Sequence, residues 1–212
     1  MVRKDIDYLL YLVTDRRWLG ERNLWDSVEE AILGGVSLVQ LREKEISSRE
    51  YLELARMVKR ATDRHGVPLI INDRIDIALA VDAAGVHVGP EDLPVADARR
   101  LMGGEKLVGA SAATLEEARA FQREGADYLG VGAVFPTATK EIKETVSLAK
   151  LRKIKSSVGI PVVAIGGIGA DNMETVMETG VDGVAVVSAI MGQPDIREAA
   201  RRLATLLKRP KR

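Results

Sequence analysis

The sequence predicts a single-domain (β/α)₈ TIM barrel of the α/β class, spanning residues 1–212, and three observations predict it. Short apolar runs alternate with longer segments of helical periodicity from one end to the other. The runs are apolar throughout instead of alternating with polar residues, as strands covered on both faces of a parallel sheet must be. The turns that lead into strands repeat a Gly beside Ala or Val, in Ala84-Gly85-Val86, Gly125-Ala126-Asp127 and Gly180-Val181-Asp182. About eight such units within 212 residues make a barrel at the compact end of its range. A doubly wound open sheet is the alternative. It is disfavoured because no Gly-x-Gly-x-x-Gly follows the first strand, where a dinucleotide fold would place it.

The first strand is Tyr8–Val13, ending at Thr14-Asp15-Arg16, and Leu24, Val28, Ala31 and Ile32 then share one helical face. Gly34-Gly35 closes that helix before the second strand, Ser37–Leu41. Ser48 opens a helix that runs to about Arg64, with Glu50 and Glu53 in its first turn favouring the positive end of the dipole. Val67–Asn72 is the third strand, with Pro68 at a tolerated early position. A short helix from Ile75 to Val81, a brief fourth strand at Gly85–Val88 and a helix from Pro94 to Met102 follow. Lys106–Ser111 is the fifth strand, and Thr114-x-x-Glu117 is a capping box for a helix to Glu124. Tyr128–Val131 is the sixth strand and Ser147–Ser157 a helix. Ile160–Ile165 is the seventh strand, and Asp171 is expected to cap the helix after it. Val181–Val186 is the eighth strand, and a last helix ends near Leu207.

Composition excludes several classes. The chain has no Cys, which removes disulfides and thiolate chemistry and makes a reducing compartment, the cytoplasm, the default. Its 31 basic residues cancel its 31 acidic ones, arguing against a nucleic-acid or membrane-surface role. No apolar run reaches the length of a membrane span, and Val2-Arg3-Lys4-Asp5 lacks the core of a signal peptide. The basic segment 207–212 reads as a frayed, solvated tail.

In such a barrel chemistry collects at the carboxyl ends of the strands. There the second strand delivers Gln40, Leu41, Arg42, Glu43 and Lys44, the third Asn72, Asp73 and Arg74, and the fourth leads to Asp92. The fifth ends at Ser111, the seventh leads to Gly166-Gly167 and the eighth to Val187-Ser188. After the sixth strand the connection runs from Gly132 to about Thr145, well beyond the ~2–6 residues usual in an α/β unit. With Thr137, Thr139 and Lys140 on it, this loop reads as an anion-binding lid.

Asp73 and Asp92 could each be an ordinary cap of a helix or turn. Together on adjacent strands they suit a hard divalent cation such as Mg²⁺, held by one or two carboxylates plus phosphate oxygens. Arg42, Lys44 and Lys140 would face the same mouth, Arg as a fork for phosphate and Lys as a point charge. The glycines after strand seven and Val187-Ser188 after strand eight match the phosphate cradle of this barrel. His87 reads as a packed, hydrogen-bonded residue before it reads as a general base, and His65 as a cation at a helix end. Two anion handles and no competing Ser-His-Asp or zinc constellation suggest an enzyme joining two phosphorylated molecules, or moving a group off a diphosphate.

With these residues in place, the chain resembles thiamine phosphate synthase. The matching motifs are Leu12-Val13-Thr14-Asp15, Gln40-Leu41-Arg42-Glu43-Lys44, Ile71-Asn72-Asp73-Arg74, Glu91-Asp92-Leu93-Pro94, Val134-Phe135-Pro136-Thr137-x-Thr139-Lys140, Ala164-Ile165-Gly166-Gly167-Ile168 and Val186-Val187-Ser188-Ala189-Ile190, in the family's order over nearly the whole chain. The resemblance implies a transferase that couples hydroxymethylpyrimidine diphosphate to a thiazole phosphate, giving thiamine monophosphate and pyrophosphate. It further implies that Gln40, Leu41, Arg42, Glu43, Lys44, Asn72, Ser111 and Lys140 bind the pyrimidine diphosphate, and that Arg42, Lys44, Ser111 and Lys140 act in catalysis. Asp73 and Asp92 would hold Mg²⁺; Thr137, Ala138, Thr139, Gly167, Val187 and Ser188 would bind the thiazole phosphate. Family members tend to form homodimers. Pro90 stands where the family usually has Gln, and Ala113 where a His is often found. Related thiazole tautomerases keep the barrel and use a His near that position, so a tautomerase is the alternative, with a non-catalytic phospho-ligand barrel behind it.

Overall fold

The structure, a computed structural model, describes residues 6–137 and 145–208. Eight parallel strands close into a barrel in sequence order, β8 returning to pair with β1. The strands are β1 (Leu10–Val13), β2 (Leu38–Leu41), β3 (Leu69–Asn72), β4 (Gly85–Val88), β5 (Leu107–Ala112), β6 (Tyr128–Gly132), β7 (Val162–Ile165) and β8 (Gly183–Val186). Around them lie α1 (Leu24–Leu33), α2 (Ser48–Arg64), α3 (Ile75–Ala80), α4 (Val95–Met102), α5 (Leu115–Arg123), α6 (Leu148–Lys155), α7 (Met173–Met177), α8 (Ser188–Met191) and α9 (Ile196–Leu207). The predicted barrel is therefore the fold.

Side-chain alternation divides the core in two. Outward positions such as Val39, Leu41, Ile71, Val86, Val108 and Leu129 pack under the helices in one continuous apolar layer. Inward positions form a smaller cluster inside the barrel, built on Tyr8, Tyr11, Val13, Leu38, Ile70, Leu107, Tyr128 and Val163. Above this plug the inward residues turn polar, with Gln40, Asn72 and His87 each buried. That change from apolar to polar makes the floor of a mouth at the carboxyl ends of the strands.

Three local expectations need correction. Helix α2 is capped by Ser47, not Ser48: Ser47 accepts from the Glu50 amide while Glu50 reaches back to Ser47, a complete capping box. Asn172, not Asp171, takes the N-cap position of α7; its side chain bonds Gly167 and Gly169 of the preceding loop instead of capping the helix. The single helix expected after β8 is two. Helix α8 stops at Gly192 and α9 begins afresh at Asp195, whose carboxylate accepts from the Glu198 amide at 2.9 Å. The capping box at Thr114 and Glu117 forms as expected. Of the basic tail, residues 209–212 lie outside the described residues, while Leu207 still belongs to α9.

Candidate active site at the barrel mouth

A cavity of about 1150 Å³ opens at the carboxyl ends of the strands. Eight of the residues singled out from sequence line it: Gln40, Arg42, Asn72 and Ser111 from one side, Thr137, Gly167, Val187 and Ser188 from the other. The strand ends thus bring Gln40, Arg42, Asn72 and Ser111 to one chamber with the residues expected to cradle a phosphate after β7 and β8. Asn72 is 7% exposed, and its amide nitrogen has no hydrogen-bond partner. A buried donor left unpaired costs about 1–3 kcal/mol, so a ligand acceptor at this wall would remove a standing penalty.

Leu41 and Glu43 do not present side chains to the cavity. Gln40 points inward, so Leu41, one residue on, points outward into the layer under the helices, and its carbonyl accepts from the Tyr51 hydroxyl at 2.8 Å. The Glu43 carboxylate is engaged by Arg16, with Nη2 donating at 2.9 Å. Ala138, Thr139 and Lys140 lie outside the described residues.

Lys44, Asp73 and Asp92 form a second cluster beside the chamber, on the loops after β2, β3 and β4. Asp73 adopts φ 63°, a left-handed conformation uncommon for a residue with a side chain. It does not cap α3, whose N-cap position is Arg74 and carries no side-chain capping bond. Its carboxylate instead bonds the Lys44 ammonium and lies near the Asp92 carboxyl. Asp92 does close a turn, accepting from the Gly89 amide at 2.7 Å. Burial, and then the adjacent Asp73, push the Asp92 carboxyl above the ordinary carboxylate range. Two carboxylates this close, one held in an unusual backbone conformation, fit a hard divalent cation that needs only one or two protein carboxylates. No group of three or more acidic, His or Cys residues assembles a fuller cage among the described residues.

The loops after β6 and β7 are pressed together, and the glycine pair permits it. Phe135 donates its amide to the Gly166 carbonyl at 3.0 Å, and Val134 donates to Ile165 at 3.0 Å. A Cβ on Gly166 would stand 2.4 Å from the Ala133 Cβ, and one on Gly167 2.5 Å from the Pro136 carbonyl oxygen. Gly166-Gly167 is therefore the seat on which the Thr137 loop rests, not merely a tight turn. Asn172 locks the same seat, donating to the Gly167 carbonyl and accepting from the Gly169 amide, both at 2.9 Å.

Sequence reasoning passed over Tyr11, Trp18, Asn172 and Gln193, which line the cavity, and Tyr128 beneath its floor; Pro90 and Asp171, read only as a departure from the family pattern and as a cap, line it too. His87 is packed and hydrogen-bonded, as expected, with Nδ1 3.1 Å from the Tyr128 hydroxyl and Nε2 2.9 Å from Ser111 Oγ. His65 ends α2 and meets Glu29 at 2.9 Å.

Residues 10–190 match the family model described as thiamine monophosphate synthase. The chain is 56% identical over 203 residues to the thiamine-phosphate synthase of Alkaliphilus oremlandii, covering 96% of this chain and 97% of that one. It is 52% identical to the thiamine-phosphate synthase of Clostridium tetani with the same coverage. Among solved structures, the thiamine phosphate pyrophosphorylase of Pyrococcus furiosus superposes with a TM-score of 0.88 at 43% identity, covering 96% of each chain. Sequence, barrel and mouth agree, and the chain belongs to the thiamine monophosphate synthase family.

Proposed function

We propose that the protein is a thiamine phosphate synthase, a transferase that joins hydroxymethylpyrimidine diphosphate to a thiazole phosphate with release of pyrophosphate. The observation that carries this reading is the single chamber lined by Gln40, Arg42, Asn72 and Ser111 on one side and Thr137, Gly167, Val187 and Ser188 on the other. A reaction that joins two substrates needs two sites facing each other, and orientation alone is worth up to ~7–11 kcal/mol in ideal cases.

The carbon–oxygen bond to the diphosphate breaks, its electron pair leaves with pyrophosphate, and the thiazole nitrogen forms the new bond to the exocyclic carbon. Arg42, Lys44 and Lys140 stabilise the charge that grows on the departing oxygens. Asp73 and Asp92 would hold Mg²⁺, which, when bound, neutralises phosphate charge and improves the leaving group. Asn72 and Ser111 fix the pyrimidine end, with Gln40 beside them. Leu41 and Glu43 contribute backbone and placement, since their side chains face away. Thr137, Ala138, Thr139, Gly167, Val187 and Ser188 bind the thiazole phosphate. The pyrimidine's own electrons support the developing cation, so no protein base is required. Ala113 lines the chamber without an acid–base group, which disfavours a tautomerase using a His there. The family resemblance also supports a homodimer working in the cytoplasm; no helix of the described residues is long and apolar enough to cross a membrane.

Mixing both substrates with Mg²⁺ and following thiamine monophosphate tests the reading. Product that requires all three components, and turnover that collapses in Lys140→Ala, is the expected result. Absence of product under saturating conditions, or turnover of the thiazole alone, overturns it.

A further inference from the structure

Along the chamber floor a line of hydrogen bonds crosses the barrel interior. The Gln40 amide nitrogen donates to the Tyr11 hydroxyl at 2.8 Å, and the Tyr11 and Tyr128 hydroxyls are 2.9 Å apart. Tyr128 meets His87 Nδ1 at 3.1 Å, and His87 Nε2 meets Ser111 Oγ at 2.9 Å. Gln40, Tyr11, Tyr128 and His87 are all more than nine-tenths buried. Both ends of the line, Gln40 and Ser111, line the chamber, Tyr11 and His87 reach its floor, and Tyr128 lies beneath.

The barrel is cut to hold this line. A Cβ on Gly109 would stand 2.2 Å from the Tyr128 ring, and one on Gly130 3.1 Å from His87 Cε1. The glycine at each position leaves the space the ring fills. Tyr8 and Tyr11 pack on Tyr128 with ring centroids 5.1 and 6.0 Å away.

The bonds alone admit either sense, since each shared proton can sit on either partner. Burial raises both phenols, so each hydroxyl keeps a proton to donate. With the Gln40 nitrogen donating to Tyr11, the sense that keeps every proton within the line has Tyr11 donating to Tyr128 and Tyr128 to His87 Nδ1. An imidazole that accepts at Nδ1 carries its proton on Nε2, which donates to Ser111 Oγ. The Ser111 proton is then directed to the chamber, and the Gln40 carbonyl oxygen faces it as an acceptor. Reversing the amide would reverse every bond and present a donor at Gln40 and an acceptor at Ser111.

We propose that Tyr11, Tyr128 and His87 are positioning residues that set the hydrogen-bond polarity of Gln40 and Ser111 and so select an aminopyrimidine ring. Such a ring offers an amino N–H to the Gln40 oxygen and an unprotonated ring nitrogen to the Ser111 hydroxyl. A 4-oxo pyrimidine puts an acceptor where the amino donor was and meets the Gln40 oxygen lone pair to lone pair. This rests on the proposed pyrimidine diphosphate site and adds the means by which that site chooses its base.

Two measurements test it. In the first, the 4-amino pyrimidine diphosphate and its 4-oxo analogue are compared as substrates in wild type, Tyr128→Phe and Tyr11→Phe. Wild type is expected to prefer the amino ring by about a hundredfold or more, since a site built to pair polar atoms rejects the mismatched analogue strongly. Each Phe variant is expected to shrink that preference by about tenfold, mainly through KM. Equal loss on both substrates, which a merely structural role would produce, overturns the proposal. The second is the ¹⁵N NMR signature of the His87 ring in wild type, resolved from the one other histidine by His65→Gln. A proton on Nε2 is expected; a proton on Nδ1 overturns the proposal even where a Phe variant fails to fold. Absence of turnover of the amino substrate by wild type would sink the synthase reading instead, and leaves the NMR result to decide the direction of the line.

Discussion

Arg22 Nη1 donates to the carbonyl of Gln193 at 2.6 Å, tying two segments 171 residues apart. The same guanidinium reaches the carbonyls of Met191 at 2.9 Å, Trp18 at 3.1 Å and Leu19 at 3.0 Å. It thereby neutralises the carboxyl end of α8, the short helix whose first residue, Ser188, lines the chamber. One cation holds the loop after β1 and the loop after β8 in register, from outside the reacting groups.

Arg22→Ala is expected to raise the KM for the thiazole phosphate about tenfold while changing kcat little, because it loosens the seat of Ser188 and not the leaving-group site. The lost charge-assisted bonds should also cost about 1.5–3 kcal/mol, lowered toward the bottom of that range by exposure. Steady-state kinetics with each substrate varied in turn, together with urea unfolding, checks both. A kcat effect with KM unchanged would place Arg22 elsewhere in the mechanism.

Asp92 gives the metal prediction and its sign. Its folded-state pKa is raised, by burial first and Asp73 next, so in the metal-free protein the ionised carboxylate at neutral pH destabilises the fold. That contribution is favourable below the unfolded value of 3.8 and is lost as pH rises through the folded one. Asp92→Asn, neutral at every pH and still able to accept from Gly89, should therefore raise the neutral-pH melting temperature of the metal-free protein. The advantage should vanish in acid. Mg²⁺ with pyrophosphate should raise the melting temperature of wild type and not of the variant. Equal stabilisation of both would remove Asp92 from the metal set.

What could be read in advance, and what could not, divides along the same lines. The barrel was legible because strands buried on both faces have no polar alternation to hide, and Gln40, Asn72 and Ser111 were legible as the polar ends of apolar runs. The outward turn of Leu41 follows from period-2 alternation once Gln40 is set inward, so that misplacement was avoidable. The meeting of Tyr11 with Tyr128 was not, because it depends on the stagger that brings β1 and β6 across the interior, which no local pattern encodes. The left-handed turn at Asp73, with its carboxylate freed from capping, also depends on partners from β2 and β4. Gly109 and Gly130 read as neutral small residues in strands until the rings that fill their space are known.

Those glycines carry a prediction of their own. Gly109→Ala would drive a methyl to 2.2 Å from Tyr128 Cζ, inside a closed barrel with no room to yield. Overpacking of this kind costs about 1–3 kcal/mol or more. Gly104→Ala, with nothing within 4 Å of the new methyl, should leave stability nearly unchanged. Urea midpoints for the pair separate packing from the general effect of replacing a glycine, and matching midpoints would mean that the Tyr128 ring has room to move.

Gly167 and Gly180 allow the loop seat to be separated from backbone strain. Both have positive φ, 63° and 89°, so alanine pays a conformational penalty of about 1–2 kcal/mol at either site. At Gly180 the new methyl meets nothing within 4 Å, whereas at Gly167 it meets the Pro136 carbonyl oxygen at 2.5 Å and the Phe135 Cβ at 2.7 Å. Gly180→Ala is therefore expected to lose stability and keep both KM values. Gly167→Ala is expected to lose stability and also raise the thiazole phosphate KM about tenfold or more, because the loop bearing Thr137 can no longer rest against β7. Thermal unfolding and substrate titration on the two variants distinguish the outcomes. If both variants change KM alike, strain rather than loop seating controls this end of the chamber.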